Sequence, residues 1–556
     1  MAAATLPWMS PSLRWSQSVQ SGCTMLSTCL SYRPRFHPGR FAVSAVLCSS
    51  SQVNQSAKFV DASKHGNLTP LYQCIYADQL TPVLAYRCLV NEDDHETPSF
   101  LFESVEFEAD TPTVGRYSVI GANPAMEIIA MENSVTIMNH LEGWRTQEHS
   151  DEPMMIAQRI TEKFNPRQMD DLPEVFCGGW VGYFSYDTVR YGEKRLTFSN
   201  APVDDRNLPD VYLGLYDDVL VFDHIEKKIY VIHWVQLDRF SSTEEAIENG
   251  MNRLQSLLSK VYDIVNPRLS AGSIECDGHK RRFKGEILSR DSSETYEKAI
   301  YTAKEHIMTG DIQQLSLSQR FERRTFSDPF EVYRTLSIAN PSPFMAYLQV
   351  RGSVLVASSH ETLTHVEPKR KIVNGTHNGR VNGAGRLEKG VLGKQVFNGV
   401  KHYNGQTVFA DLAKTVRKVT DVGSTWWNTL QTALPPESVT GAPKIKAIEL
   451  IDELEVNRRG LYGGGIGSIS FSGNMDIALS PRTIVFPTGN NFDTLLSYKN
   501  PKNRREWVAH IQAGASIVAD SDPRDVAQEC QSEAHVVARA IDLAESSFLD
   551  KISYDS

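Results

Sequence analysis

A tyrosine beside packed glycines (Tyr462), an arginine isolated among apolar residues (Arg482) and a helix carrying Glu529 and Glu533 could together hold a small polyanion and a divalent metal. All of these lie from Glu437 through the helix that Asp520-Ser521-Asp522-Pro523 opens. Arg482 stands among Ile477, Leu479, Ile484 and Val485, which read as an apolar strand. An unpaired charge there is expensive, so the guanidinium requires an anionic partner. A planar guanidinium grips two carboxylate oxygens at once, and a phenol such as Tyr462 donates a third bond. Gly514, with Ala515 and Ser516 beside it, would present backbone N–H groups to a carboxylate with little side chain in the way. Glu529 and Glu533 stand at i and i+4, on one helix face, where carboxylates could meet a divalent metal. Each signal has an ordinary alternative: an internal salt bridge for Arg482, a solvated helix face for the two glutamates.

The elements that must position these groups are well punctuated. Pro443 stands near the start of a helix with Ile445, Ile448, Ile451 and Leu454 at helical spacing, closed by Arg458-Arg459-Gly460. Lys444, in its first turn, either faces an anion or is solvated. Asp522-Pro523 opens the last helix. Further upstream, ordered structure is expected from near Leu80, with Thr81 to Val90 and Ser99 to Ser104 as short strands. Gly115 to Gly121, Gly178 to Phe184 and Asp217 to Trp234 continue the β pattern, the last with a turn at Glu226-Lys227-Lys228. Ser241 to Ile264 and Ser292 to Met308 have helical spacing, and Gly310 to Phe321 follows as a strand. Glycines and Asn-Gly pairs from Asn374 to Gly405 favour a loop over a long helix.

The totals exclude several classes. The 556 residues are 41% hydrophobic and 22% charged, enough for two or three globular domains. A net charge of -10 gives no clustered excess of Lys and Arg to neutralise phosphates, so nucleic acid is not expected as a partner. No apolar run is long enough to cross a membrane. The eight cysteines are scattered without C-x-x-C pairs and read as reduced, small hydrophobes. Residues 1–60 contain no Asp or Glu, are rich in Ser and carry spread arginines, the composition of an organellar transit peptide.

Taken in order, Glu437 to Lys444, Arg459 to Gly467, Ser468 to Phe486 and Gln512 to Asp520 resemble the chorismate-utilising enzymes, most closely the large (alpha, component I) subunits of plant anthranilate synthase. The resemblance implies an α+β fold of mixed β-sheets sandwiched between helices, in two intertwined sub-domains. It implies a transit peptide over 1–60 for import into the chloroplast stroma, a tryptophan-regulatory domain over 80–240, a linker over 241–288 and a chorismate-binding domain over 289–549. The implied reaction converts chorismate and ammonia to anthranilate and pyruvate. The ammonia comes from glutamine through a separate amidotransferase (beta) subunit.

By the same resemblance, Tyr462, Arg482, Gly514, Ala515, Ser516, Gly375 and Thr376 bind chorismate, and Glu529 holds Mg2+. Ser104, Pro343, Phe344 and Met345 bind tryptophan as inhibitor, drawn from Phe102-Glu103-Ser104 and Asn340 to Met345. The chain departs from the family at several of these places. Lys401 stands at a magnesium-ligand glutamate, Val526 at a carboxylate, Glu533 at a lysine, Ser516 at a glycine, His360 at a proline and Phe344 at a tyrosine, and a histidine-bearing stretch near Trp426 is missing. No catalytic residue is therefore assigned. These departures motivate one alternative, an inactive tryptophan-binding or amidotransferase-binding homologue; a second, another chorismate user such as isochorismate or aminodeoxychorismate synthase, is opposed by the close resemblance to plant anthranilate synthase from Glu449 to Glu545.

Overall fold

Two large antiparallel sheets organise the chain in this computed structural model, and each draws strands from both halves of the sequence. The structure describes residues 57–549 except 109–110, 168, 264–268, 273–286, 290–292, 367–371, 375–425 and 489–504. Gly375 and Thr376 therefore lie outside the described residues, as do Lys401 and the transit segment up to residue 56.

The first sheet has twelve strands. At its centre the early strand Ser99–Glu108 pairs with the late strand Phe344–Val350, in the register Met345 to Glu103 and Leu348 to Phe100. Beyond these lie Ser353–Ser359, Thr483–Pro487, Trp507–Ile517 and Gln314–Thr325 in turn. In the nine-stranded second sheet, Gly465–Ser470 joins Gly179–Phe184, and Met475–Leu479 flanks it on the other side. Gly179–Phe184, Val211–Tyr216 and Gly465–Ser470 are buried at every position, as strands covered on both faces must be. The edge strand Trp144–His149 is exposed throughout and carries Arg145, Glu148 and His149, which discourages further pairing.

The helix Pro523–Ala544 packs along Trp507–Ile517 and against the helix Pro329–Ala339. Its start is fixed by Asp522, whose carboxylate accepts from the backbone N–H of Arg524 at 2.9 Å, with Pro523 in the first turn. Val526, Cys530, Ala534, Ala538 and Ile541 form its buried stripe, and the small alanines let the helix lie close to the sheet.

Several sequence expectations hold, among them the helices Thr243–Tyr262 and Ser293–Thr309 and the strands Ser99–Glu108 and Thr111–Ala122. The turn expected near Glu226 joins Asp218–Asp223 to Lys228–Gln236, with Lys227 at φ +52°. Two expectations fail. Thr81 to Val90 is not a strand: Pro82–Leu89 is a helix whose Thr81 side chain accepts from the Leu84 N–H at 3.3 Å. A capping threonine followed by proline at the first helical position outweighs the β-branched content of the segment. Order also begins before Leu80, since Leu68–Tyr76 pairs along its whole length with Lys228–Gln236.

Candidate active site

Arg482 lies where the chain passes from one sheet to the other. Met475–Leu479 belongs to the second sheet and Thr483–Pro487 to the first, and Ser480-Pro481-Arg482 makes the crossing. The arginine is thus at a bend and not inside a strand, a correction to the sequence reading. Pro481 has no N–H for a ladder, which suits it to this break in pairing. Ser480 holds the crossing to the glycine-rich turn that carries Tyr462. Its hydroxyl donates to the Leu461 carbonyl at 2.5 Å, and its backbone N–H donates to the Gly464 carbonyl at 3.0 Å.

Tyr462 is buried and packs onto Trp507–Ile517 at Gly514. A Cβ on Gly514 would stand 2.4 Å from the Tyr462 hydroxyl and 2.8 Å from the Leu317 carbonyl, so only glycine admits this approach. Burial pushes the Tyr462 phenol well above its ordinary ionisation range, which keeps the hydroxyl a donor. Beneath it, Arg459 is buried and bound to Glu455 by Nε at 2.9 Å and Nη2 at 2.6 Å. Arg459 also donates to the carbonyls of Val439 and Ser316. Glu455 accepts in turn from the Ser318 N–H at 2.8 Å and hydroxyl at 3.1 Å. This network ties the turn to Gln314–Thr325, whose Ser318 faces Gly514 in register. A cavity of about 470 Å3, open solvent included, borders Ser318 and is lined also by Tyr296, Arg320, Glu455 and Gln512. Sequence patterning offered no signal for the Glu455–Arg459 pair beyond the arginine doublet closing the preceding helix.

Ala515 is buried beside Leu317, whereas Ser516 is exposed and registers with Ser316. The Arg482 guanidinium has partners in the protein itself. Its Nε and Nη2 each lie 3.1 Å from Glu533 Oε2, and its Nη1 donates to His360 Nδ1 at 3.1 Å. Partial burial and the neighbouring Arg482 cation hold the His360 imidazole below its ordinary range, so its nitrogen accepts from the guanidinium. Glu529, one turn before Glu533, is exposed, and Val526 is buried against the sheet. Among the described residues no group of three or more His, Cys, Asp or Glu side chains comes together as a metal cage. Lys444 is turned inward, donating to the carbonyls of Thr432 and Leu434, and burial lowers its ammonium to about 8. The Glu437 carboxylate opposes that lowering, so the half-buried ammonium has an anion near it as well as its two carbonyl partners.

The four tryptophan-site candidates come from strands that are neighbours in the sheet. Ser104 sits at an irregularity in the pairing with Thr111–Ala122, its hydroxyl donating to the Tyr117 carbonyl at 3.1 Å. Gly115 lies against it, so closely that a Cβ there would meet the Ser104 hydroxyl at 2.1 Å. Across the sheet Met345 registers with Glu103, the Phe344 ring lies 5.2 Å from that of Phe102, and Pro343 is exposed at the strand entrance. Burial raises the Glu103 carboxyl above its ordinary range, against the bond it accepts from Tyr333 at 2.5 Å.

The sequence profile described as chorismate binding enzyme matches residues 100–376 and 407–539. The chain belongs to the chorismate-binding enzyme family. Among curated members, it is 53% identical to the chloroplastic anthranilate synthase alpha subunit 1 of Arabidopsis thaliana, covering 91% of each chain. To anthranilate synthase component 1 of Acetivibrio thermocellus it is 31% identical, covering 87% of this chain and 97% of that one. The solved anthranilate synthase component I of Streptococcus pneumoniae TIGR4 superposes with a TM-score of 0.55 at 22% identity, covering 84% of this chain and 99% of that one. That likeness carries the α+β fold of this chorismate-binding family member, with its two antiparallel sheets and flanking helices.

Proposed function

We propose that this chain is the large subunit of a plastid anthranilate synthase, acting in tryptophan biosynthesis on chorismate with ammonia released from glutamine by an amidotransferase partner. Half-identity to plant alpha subunits over nearly the whole chain supports the activity, the partner and the compartment. The observation that carries the site is the meeting of three separate segments: the Tyr462 turn, the Arg482 crossing tied to it by Ser480, and Gly514 beneath the phenol.

In this reading, Arg482 grips a chorismate carboxylate, the protonated Tyr462 phenol donates to it, and the strand around Gly514 lets the ring lie close to backbone. Ammonia adds to the ring with loss of its hydroxyl as water, and the enolpyruvyl arm then leaves as pyruvate. Magnesium, where bound, supplies a Lewis acid for the ring carboxylate. Of the described residues, Glu529 is the one carboxylate offered for it, which is less than a metal of this kind needs, so no step is assigned to the ion. Tryptophan would bind between Ser104 and Pro343-Phe344-Met345; the neighbouring strands of these segments support this.

A second reading is an inactive homologue that binds tryptophan or the amidotransferase, favoured by the ion pair that occupies Arg482 and by the buried Val526. Purified protein incubated with chorismate, ammonium and magnesium is expected to form anthranilate, followed by its fluorescence, and to lose that activity as tryptophan is titrated in. Tryptophan binding with no anthranilate formed selects the inactive homologue instead.

A further inference from the structure

The Arg482 guanidinium already holds a carboxylate. Both nitrogens of its outer edge, Nε and Nη2, reach Glu533 Oε2 at 3.1 Å, and the remaining arm is spent on His360. Glu533 reaches the crossing from the helix Pro523–Ala544, whose start is capped and whose buried stripe is packed on the sheet. The acid is therefore presented to the arginine at a high local concentration without any external ligand. Both partners are partly open to solvent, with side-chain exposures of 29% and 39%, so the pair is exchangeable and not a sealed core bridge.

We infer that Glu533 is an internal competitor for the carboxylate seat on Arg482, released when an anionic substrate binds, and that it sets the affinity of this site for dianions. The inference rests on the reading of Arg482 as a chorismate-carboxylate ligand. The incoming acid must displace Glu533 from the guanidinium and then lie beside its negative charge, with Glu529 one turn away. Like charges in such a site weaken anion binding, and a neutral side chain of the same shape relieves that cost. Glu533 makes no bond to the reacting atoms in this scheme; it acts through Arg482 as a specificity-determining residue.

The test is a double-mutant cycle in the full-length protein, read by calorimetric titration with chorismate and by steady-state kinetics. Glu533→Gln is expected to lower the Kd and KM for chorismate about tenfold, equivalent to about 1.4 kcal/mol, with a far smaller change in kcat. In an Arg482→Ala background the same substitution is expected to change the Kd by less than about twofold, because the seat being contested is gone. A thermal melt of each variant checks folding, and Glu533→Ala repeats the measurement without the amide. An unchanged Kd in Glu533→Gln, or an equal gain in the Arg482→Ala background, overturns the inference while leaving anthranilate formation by the natural protein to stand on its own assay. Tighter chorismate binding by Glu533→Gln without turnover in any variant supports the competitor and counts against the synthase. No chorismate binding by folded Glu533→Gln overturns the inference outright.

Discussion

Gly514 and Tyr462 make contact because one of them has no side chain. Gly514→Ala places a methyl group 2.4 Å from the phenol oxygen and 2.8 Å from a backbone carbonyl that cannot move without disturbing the sheet. The expected cost is about 1–3 kcal/mol of stability, as for other overpacked sites, together with a several-fold rise in KM for chorismate. Urea unfolding and initial rates on the one variant measure both. Asp210 supplies a pH dependence at the same scale. Burial, reinforced by the Asp187 charge, raises its carboxyl from 3.8 to about 7. The unfolded chain gives up this proton near pH 4 while the folded chain keeps it until about pH 7, so between those values the folded state binds more protons. This group's contribution to stability therefore falls as the pH rises through that window and is level above it. Asp210→Asn is expected to remove this component: the difference in urea midpoint between pH 5 and pH 8 should shift toward greater relative stability at pH 8 in the variant.

Among elements, the decisive one is the short crossing Ser480-Pro481-Arg482. It is held by the Ser480 hydroxyl on the Leu461 carbonyl, a contact between two turns that no helix or strand imposes. Ser480→Ala leaves that buried carbonyl with one partner fewer and is expected to cost about 1 kcal/mol of stability. Because the bond couples Arg482 to Tyr462, kcat/KM is expected to fall by more than the stability change would suggest; turnover compared with wild type at a temperature where both are fully folded decides this. The helix Pro523–Ala544 was readable from its Asp522-Pro523 opening. Its partner across the Arg482 contact was not readable, since an i, i+4 glutamate pair has the same pattern on a solvated face as in a site. The segment Thr81 to Val90 shows the opposite failure: a cap and a proline, both local signals, were present and outweighed the strand-like composition.

For the whole molecule, the sheets interleave the two halves of the chain. Ser99–Glu108 has Phe344–Val350 as a neighbour, and Gly179–Phe184 has Gly465–Ser470. Residues 57–265 expressed alone would leave the edges of two buried strands without partners. That fragment is expected to aggregate or to unfold without a cooperative transition, as circular dichroism on heating would show; a sharp transition in the isolated fragment would establish an independently folding N-terminal domain.

The amino-acid sequence by itself determined the chemical inventory: an arginine and a tyrosine fit for a carboxylate, glycines that allow close approach, a capped C-terminal helix with two acids, and a family resemblance built from ordered strings. Those features are local, fixed by residue type and by spacing within one element. Only the tertiary structure decided that Arg482 lies at a crossing between sheets, that Glu455 and Arg459 form the buried support under Tyr462, and that Glu533 sits on the guanidinium. The reason is that an ion pair between residues 51 positions apart depends on how a helix rests on a sheet, and that placement is set by the burial of Val526, Cys530, Ala534 and Ala538 rather than by the charges themselves.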